Sequence, residues 1–218
     1  MRAILLVLLL FGPLPAIAQQ TDEQLWLSAN ADVPLGGDVN LTLESIARFG
    51  DRAGGIADAQ LGGLIAWHPS KSVEFAIGYR HVQDYDHGTA LAGEERVREQ
   101  ITVALGGGLS ARLRAEQRFN ASGAKAGLRL RPGLRYVFPL GTKGFALNIG
   151  HEDFVNLNTT TWGQRRGYER MRNTIGLTIP LAPTLKGEAG YLNQVRFGRS
   201  GARDQMDHAA TFALTLTL

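Results

Sequence analysis

Acid–base chemistry needs a histidine within reach of a carboxylate, and the segment GHEDFVNLN (150–158) supplies His151, Glu152, Asp153, Asn156 and Asn158 in one run. A lipase or deacylase also needs a hydroxyl nucleophile and an orienting group. The nearby hydroxyls are Thr159, Thr160 and Thr161, and sequence alternation turns His151 away from the side that carries Glu152. His151 therefore reads as an interfacial histidine, and no catalytic residue is assigned. A second cluster, HVQDYDHG, holds His81, Asp84, Asp86 and His87 but lacks metal-ligand spacing. Gly106-Gly107-Gly108 has neither the lysine nor the helix of a phosphate cradle and reads as a turn. Asn158-Thr159-Thr160 is sequon-like and assigns no chemistry here. No metal or cofactor is expected.

The strongest pattern is one of charge. In LRLRPGLRY (128–136), Arg129, Arg131 and Arg135 alternate with Leu128, Leu130, Leu134 and Tyr136. A helix would scatter these residues; a strand sends them to opposite faces. The same sorting places Arg80, Arg96, Arg98, Arg112, Arg114, Arg118, Arg170 and Arg172 with the polar face, together with Glu74, Glu116, Glu152 and Glu188.

Such faces require strands, and period-two alternation runs the length of the chain. It is visible in DVNLTLESIARF, SVEFAIGYR, LSARLRAEQRF, RMRNTIGLTI and TFALTLTL. Short Gly- or Pro-bearing turns at 34–38, 68–72, 106–108, 139–144 and 180–184 alternate with longer polar links around 50–57, 83–95, 120–124, 155–167 and 198–207. Trp67, Tyr136, Phe138 and Phe145 flank the short turns, and Phe49, Tyr79, Phe119, Tyr191 and Phe197 lie at the other strand ends. Together these predict an all-β, antiparallel up-and-down transmembrane β-barrel of ten to twelve strands. Eleven candidate strands can be counted, starting near 24, 37, 58, 72, 95, 109, 125, 144, 168, 184 and 207. An even number is usual in bacterial barrels, so twelve is slightly favoured over ten. The missing strand would lie in 83–95 or 155–167, or else QLWLSANAD is not a full wall strand.

In a barrel wall the apolar face meets lipid, where an Arg costs roughly 2–4 kcal/mol at the midplane, so the arginine face must line the lumen. The expected lumen-lining set is Arg80, Arg96, Arg98, Arg112, Arg114, Arg118, Arg129, Arg131, Arg135, Arg170, Arg172, Glu74, Glu116, Glu152 and Glu188. Two roles are open to it: an arginine–carboxylate network that fills the barrel, or a path for anions left by arginines in excess of acids.

Residues 1–18 read as a signal peptide: Arg2, an apolar run Ala3–Phe11, and Ala16-Ile17-Ala18 before Gln19. Residues 19–218 then form one barrel domain. With no cysteine, disulfides and thiolate metal sites are excluded. A net charge of +3 is too mild for a nucleic-acid binder.

With LRLRPGLRY, GHEDFVNLN, RRGYERMRNTIGLTI and GEAGYLNQ, the early Trp26 and the Gly190–Gln194 run, the chain resembles the bacterial outer-membrane family of domain of unknown function 2490. The resemblance covers most of the region after the signal. It implies an outer-membrane barrel of uncharacterised activity and supplies no catalytic residues. The chain departs from outer-membrane proteins generally in ending on Leu218 rather than an aromatic residue. The resulting expectation is a non-enzymatic protein of the bacterial cell outer membrane, structural or passing and binding small anionic solutes. Its partners would be outer-membrane lipids, the barrel-assembly machinery and small anions. Two other readings compete: a lipid-modifying enzyme centred on His151, and a soluble periplasmic β-barrel that binds an apolar ligand.

Overall fold

The computed structural model describes residues 20–199 and 201–218; the segment read as a signal peptide lies outside them. Twelve strands form, β1 (Gln20–Gly36), β2 (Val39–Gly50), β3 (Gly55–Ser70), β4 (Val73–Asp86), β5 (Thr89–Ala90), β6 (Glu94–Gly106), β7 (Leu109–Asn120), β8 (Gly127–Leu140), β9 (Phe145–Asn156), β10 (Gly167–Ala182), β11 (Leu185–Arg196) and β12 (Gln205–Thr217), and the described residues contain no helix. The wall runs β3-β2-β1-β12-β11-β10-β9-β8-β7-β6-β4 and is sealed by pairing of β3 with β4. Closure gives every wall strand two partners and leaves no bare edge.

The barrel class is as expected, with two differences of detail. The wall has eleven strands, and the twelfth, β5, is a two-residue strand held only by β4 within the 83–95 link. The QLWLSANAD segment is a full wall strand, and the odd count is accommodated by a parallel joint: Gln20 to Asp32 of β1 run alongside Gln205 to Thr217 of β12. A parallel ladder satisfies backbone groups as an antiparallel one does, so nothing in the hydrogen bonding forces an even number. All other strand pairs are antiparallel.

The short turns gather at one end and the longer links at the other. At the Gly106–Gly108 turn all three φ angles are positive (90°, 60° and 88°), a conformation that only glycine adopts without strain. Most large apolar residues of the wall strands face outward and stay exposed, among them Leu61, Ile65, Ile77, Leu113, Leu134, Ile175, Phe212 and Leu214, while Leu64, Val82, Phe154 and Leu192 are buried. Trp67, Tyr136 and Phe138 at the turn end, and Phe49, Tyr79, Phe119 and Tyr191 towards the link end, are exposed on the same outer surface. Glu99, exposed between Val97 and Ile101, interrupts this apolar band.

Candidate functional site

Opposite parity fills the interior with charge. Arg80 and Arg98 donate to Glu44 at 2.8 and 2.5 Å. Glu44 lies on β2 and Arg98 on β6, with β3 and β4 between them in the wall, so their contact can pass only through the lumen. Arg98 is fully buried and also donates to the carbonyls of Gly63 and Tyr79. Glycine makes this possible: a Cβ on Gly62 would meet the Tyr79 carbonyl at 2.3 Å, and one on Gly78 the Gly63 carbonyl at 2.3 Å.

The other expected lumen residues fall into the same network. Arg96 and Arg118 share Glu94. Arg129 and Arg131 share Glu116, at 2.5 and 2.6 Å. Glu152 serves Arg112, Arg131 (2.7 Å) and, at 3.6 Å, Arg172. Arg170 bonds Glu169, and Arg135 reaches Glu188 at 3.1 Å near the turn end. Glu74 accepts from Gln100 and Thr102. Arg114 is held by the Gln100 amide oxygen at 2.7 and 3.0 Å and has no ion pair among those the described residues form.

Pairing is thus denser than the sequence pattern indicated, because Glu44, Asp58, Glu94, Glu169 and Asp207 also point inward. Even so, Glu44, Glu94, Glu116 and Glu152 each serve two or three guanidiniums, which leaves positive charge in excess around them. The buried Nε atoms of Arg48, Arg80, Arg98, Arg112, Arg131 and Arg172 find no hydrogen-bond acceptor among the described residues. A buried donor without a partner is costly, and these atoms are closed off from the lumen as well as from the chain.

Two aromatic rings stand within this charge. The guanidiniums of Arg48 and Arg172 lie 3.9 and 4.7 Å from the ring centroid of Trp26. Those of Arg131, Arg172, Arg129 and Arg170 lie 4.4 to 5.3 Å from that of Phe154. Arg172 links the two rings. Sequence reasoning passed over both aromatics, although the parity signal was present: Trp26 shares its face with Gln24 and Ser28, and Phe154 with Glu152 and Asn156.

The interior is not a solid core. A cavity of about 630 Å³ extends from Ser110, Arg135 and Glu188 in the turn half to Arg96, Arg118 and Arg196 in the link half. A second, of about 600 Å³, sits at the link end and shares Arg118 and Arg196 with the first. It is lined partly by the 157–166 link, where Trp162 lies 5.0 Å from the Arg118 guanidinium and Gln164 accepts from Arg118 at 3.0 Å.

The other motifs resolve into local structure. His151 bonds Asn173 through Nδ1 (2.7 Å) and faces Asp153 through Nε2 (3.3 Å), and Tyr168 donates to Asp153. Similar outer-wall groups are Tyr79 and His81 on Glu95, and Tyr191 on His208. His87 pairs with its neighbour Asp86 in an exposed turn, and no metal-holding cluster of His, Cys, Asp and Glu occurs among the described residues. Asn158 and Thr160 spend their side chains on the backbone of Leu128, Ala126 and Gln164.

A sheet closed on itself, apolar outside and filled with guanidiniums inside, defines an arginine-lined β-barrel. Within that class the chain belongs to the family described as protein of unknown function DUF2490, which matches residues 23–206. An uncharacterized protein of Methylorubrum extorquens is 32% identical over 200 residues, spanning 88% of this chain and 86% of its own.

Proposed function

We propose that the protein is an integral barrel of the bacterial outer membrane whose lumen admits and binds small anionic solutes. The observation that carries this reading is the interior cavity, lined by eleven arginines against four acidic residues. Rings of Arg favour anions, and a low-dielectric wall strengthens their field. The membrane setting is supported by the outer surface, since an exposed apolar band, interrupted at Glu99 and with aromatics towards both ends, suits hydrocarbon and not water. That surface disfavours a soluble ligand binder. An enzyme centred on His151 is disfavoured because both ring nitrogens are engaged, by Asn173 and Asp153, with no hydroxyl nucleophile between them among the described contacts.

The test is reconstitution in planar bilayers under a salt gradient. Anion-selective steps are expected, together with detergent-dependent extraction and heat-modifiable gel mobility. Cation selectivity, or release of the folded protein by salt or osmotic shock, would overturn the reading.

A further inference from the structure

The charge-rich part of the cavity is not uniformly polar, and that bears on which anion it takes. Arg48, Arg131 and Arg172 all line the cavity. Each is anchored to the wall by chain partners: Arg48 Nη1 by Asp58 (3.2 Å), Arg131 by Glu116 and Glu152, Arg172 Nη2 by Gln194 (2.7 Å). The rings of Trp26 and Phe154 connect the three guanidiniums.

Beside these donors the lining turns apolar. Ile46 precedes Arg48 by two residues and so shares its face. Leu192 stands in the same relation to Gln194, the partner of Arg172, and packs with Trp26 in a buried apolar cluster. Ile46, Leu192 and Trp26 all line the cavity. Its volume, about 630 Å³, falls in the range of pockets for small organic ligands, roughly 300–1,000 Å³. A bare inorganic anion would occupy a fraction of it and leave water against Ile46 and Leu192.

We infer that this seat takes a small organic monocarboxylate, with its carboxylate on Arg48, Arg131 and Arg172 and its apolar body against Trp26, Ile46 and Leu192. The inference rests on the lumen reading above and narrows it to a ligand class. A carboxylate brings the negative charge that a lining of eleven arginines and four acidic residues lacks, and a short alkyl chain gains by leaving water for the apolar wall.

The experiment is calorimetric titration of the full-length protein in lipid nanodiscs with acetate, butyrate, hexanoate, phosphate and chloride, with empty nanodiscs as the partition control. Affinity should rise about fourfold per added methylene from acetate to hexanoate, and phosphate should bind more weakly than hexanoate. Arg172→Gln should weaken hexanoate at least about tenfold, as expected for a lost charged hydrogen bond. Ile46→Asn should retain acetate binding and abolish the dependence on chain length. Equal affinity along the carboxylate series, or phosphate binding tighter than hexanoate, would overturn the inference. So would unchanged hexanoate binding in folded Arg172→Gln. If Arg172→Gln loses its heat-modifiable mobility, Ile46→Asn decides alone. Anion-selective conductance with a flat carboxylate series would sink the ligand class and leave the lumen reading standing. Absence of both would sink both.

Discussion

Replacing Glu116 by Gln keeps the shape of the side chain and removes its charge, at one of the most enclosed points of the network. Glu116 is 2% exposed and accepts from Arg129 Nε at 2.8 Å and Arg131 Nη1 at 2.6 Å. Removing one partner of a buried ion pair costs about 3–5 kcal/mol, because the remaining charge stays buried. Here Glu152 still reaches Arg131 at 2.7 Å and Glu169 faces Arg129 at 3.5 Å, so the lower end applies, about 3 kcal/mol. Glu188→Gln is the matched control. Its pair with Arg135 spans 3.1 Å, but the two side chains are 38% and 55% exposed, and pairs of that kind are worth about 0–1 kcal/mol. Urea unfolding in lipid bilayers, followed by heat-modifiable mobility, measures both. Similar losses for the two variants, or a loss below about 1 kcal/mol for Glu116→Gln, would refute the claim that the buried guanidinium–carboxylate network holds the interior together.

Gly78→Ala should destabilise the barrel by about 1–3 kcal/mol, since the new methyl meets the Gly63 carbonyl and the Leu64 side chain; thermal unfolding in lipid would show it. Trp26→Leu keeps apolar bulk but removes the ring beneath Arg48 and Arg172. It should cost about 1–2 kcal/mol in the same unfolding assay, more than Trp67→Leu on the outer wall. His151→Ala should leave ion selectivity and lipid composition unchanged; altered lipid turnover on its expression would revive the enzymatic reading. Anion selectivity should decline as salt rises from about 0.1 M to 1 M, over which the screening length falls from about 10 Å to 3 Å.

The wall was legible in the sequence because the period of a strand is two and lipid tolerates little on the wrong face. LRLRPGLRY shows this well: Arg129, Arg131 and Arg135 point inward even though Pro132 interrupts the run of donors. The partners were not legible, because a contact across a lumen obeys no sequence spacing. Glu44 and Arg98 are 54 residues apart and meet only once the ring is closed. Glu169 escaped notice for a local reason. The register shifts between Tyr168 and Arg170, so the alternation slips there, and Glu169 reaches the lumen side to bond Arg170 and face Arg129. The strand count was read correctly as eleven, and the preference for an even number set it aside.

The joint between β1 and β12 has a consequence for assembly. Every other wall contact links strands that follow one another along the chain, joined by a turn or a link. This one brings Gln20–Asp32 to Gln205–Thr217, so the loop-closure entropy of nearly the whole ribbon falls due at a single step. Its slanted hydrogen bonds are slightly weaker per residue than those of the other rungs. The ring therefore has a clasp, fastened last and softest once fastened.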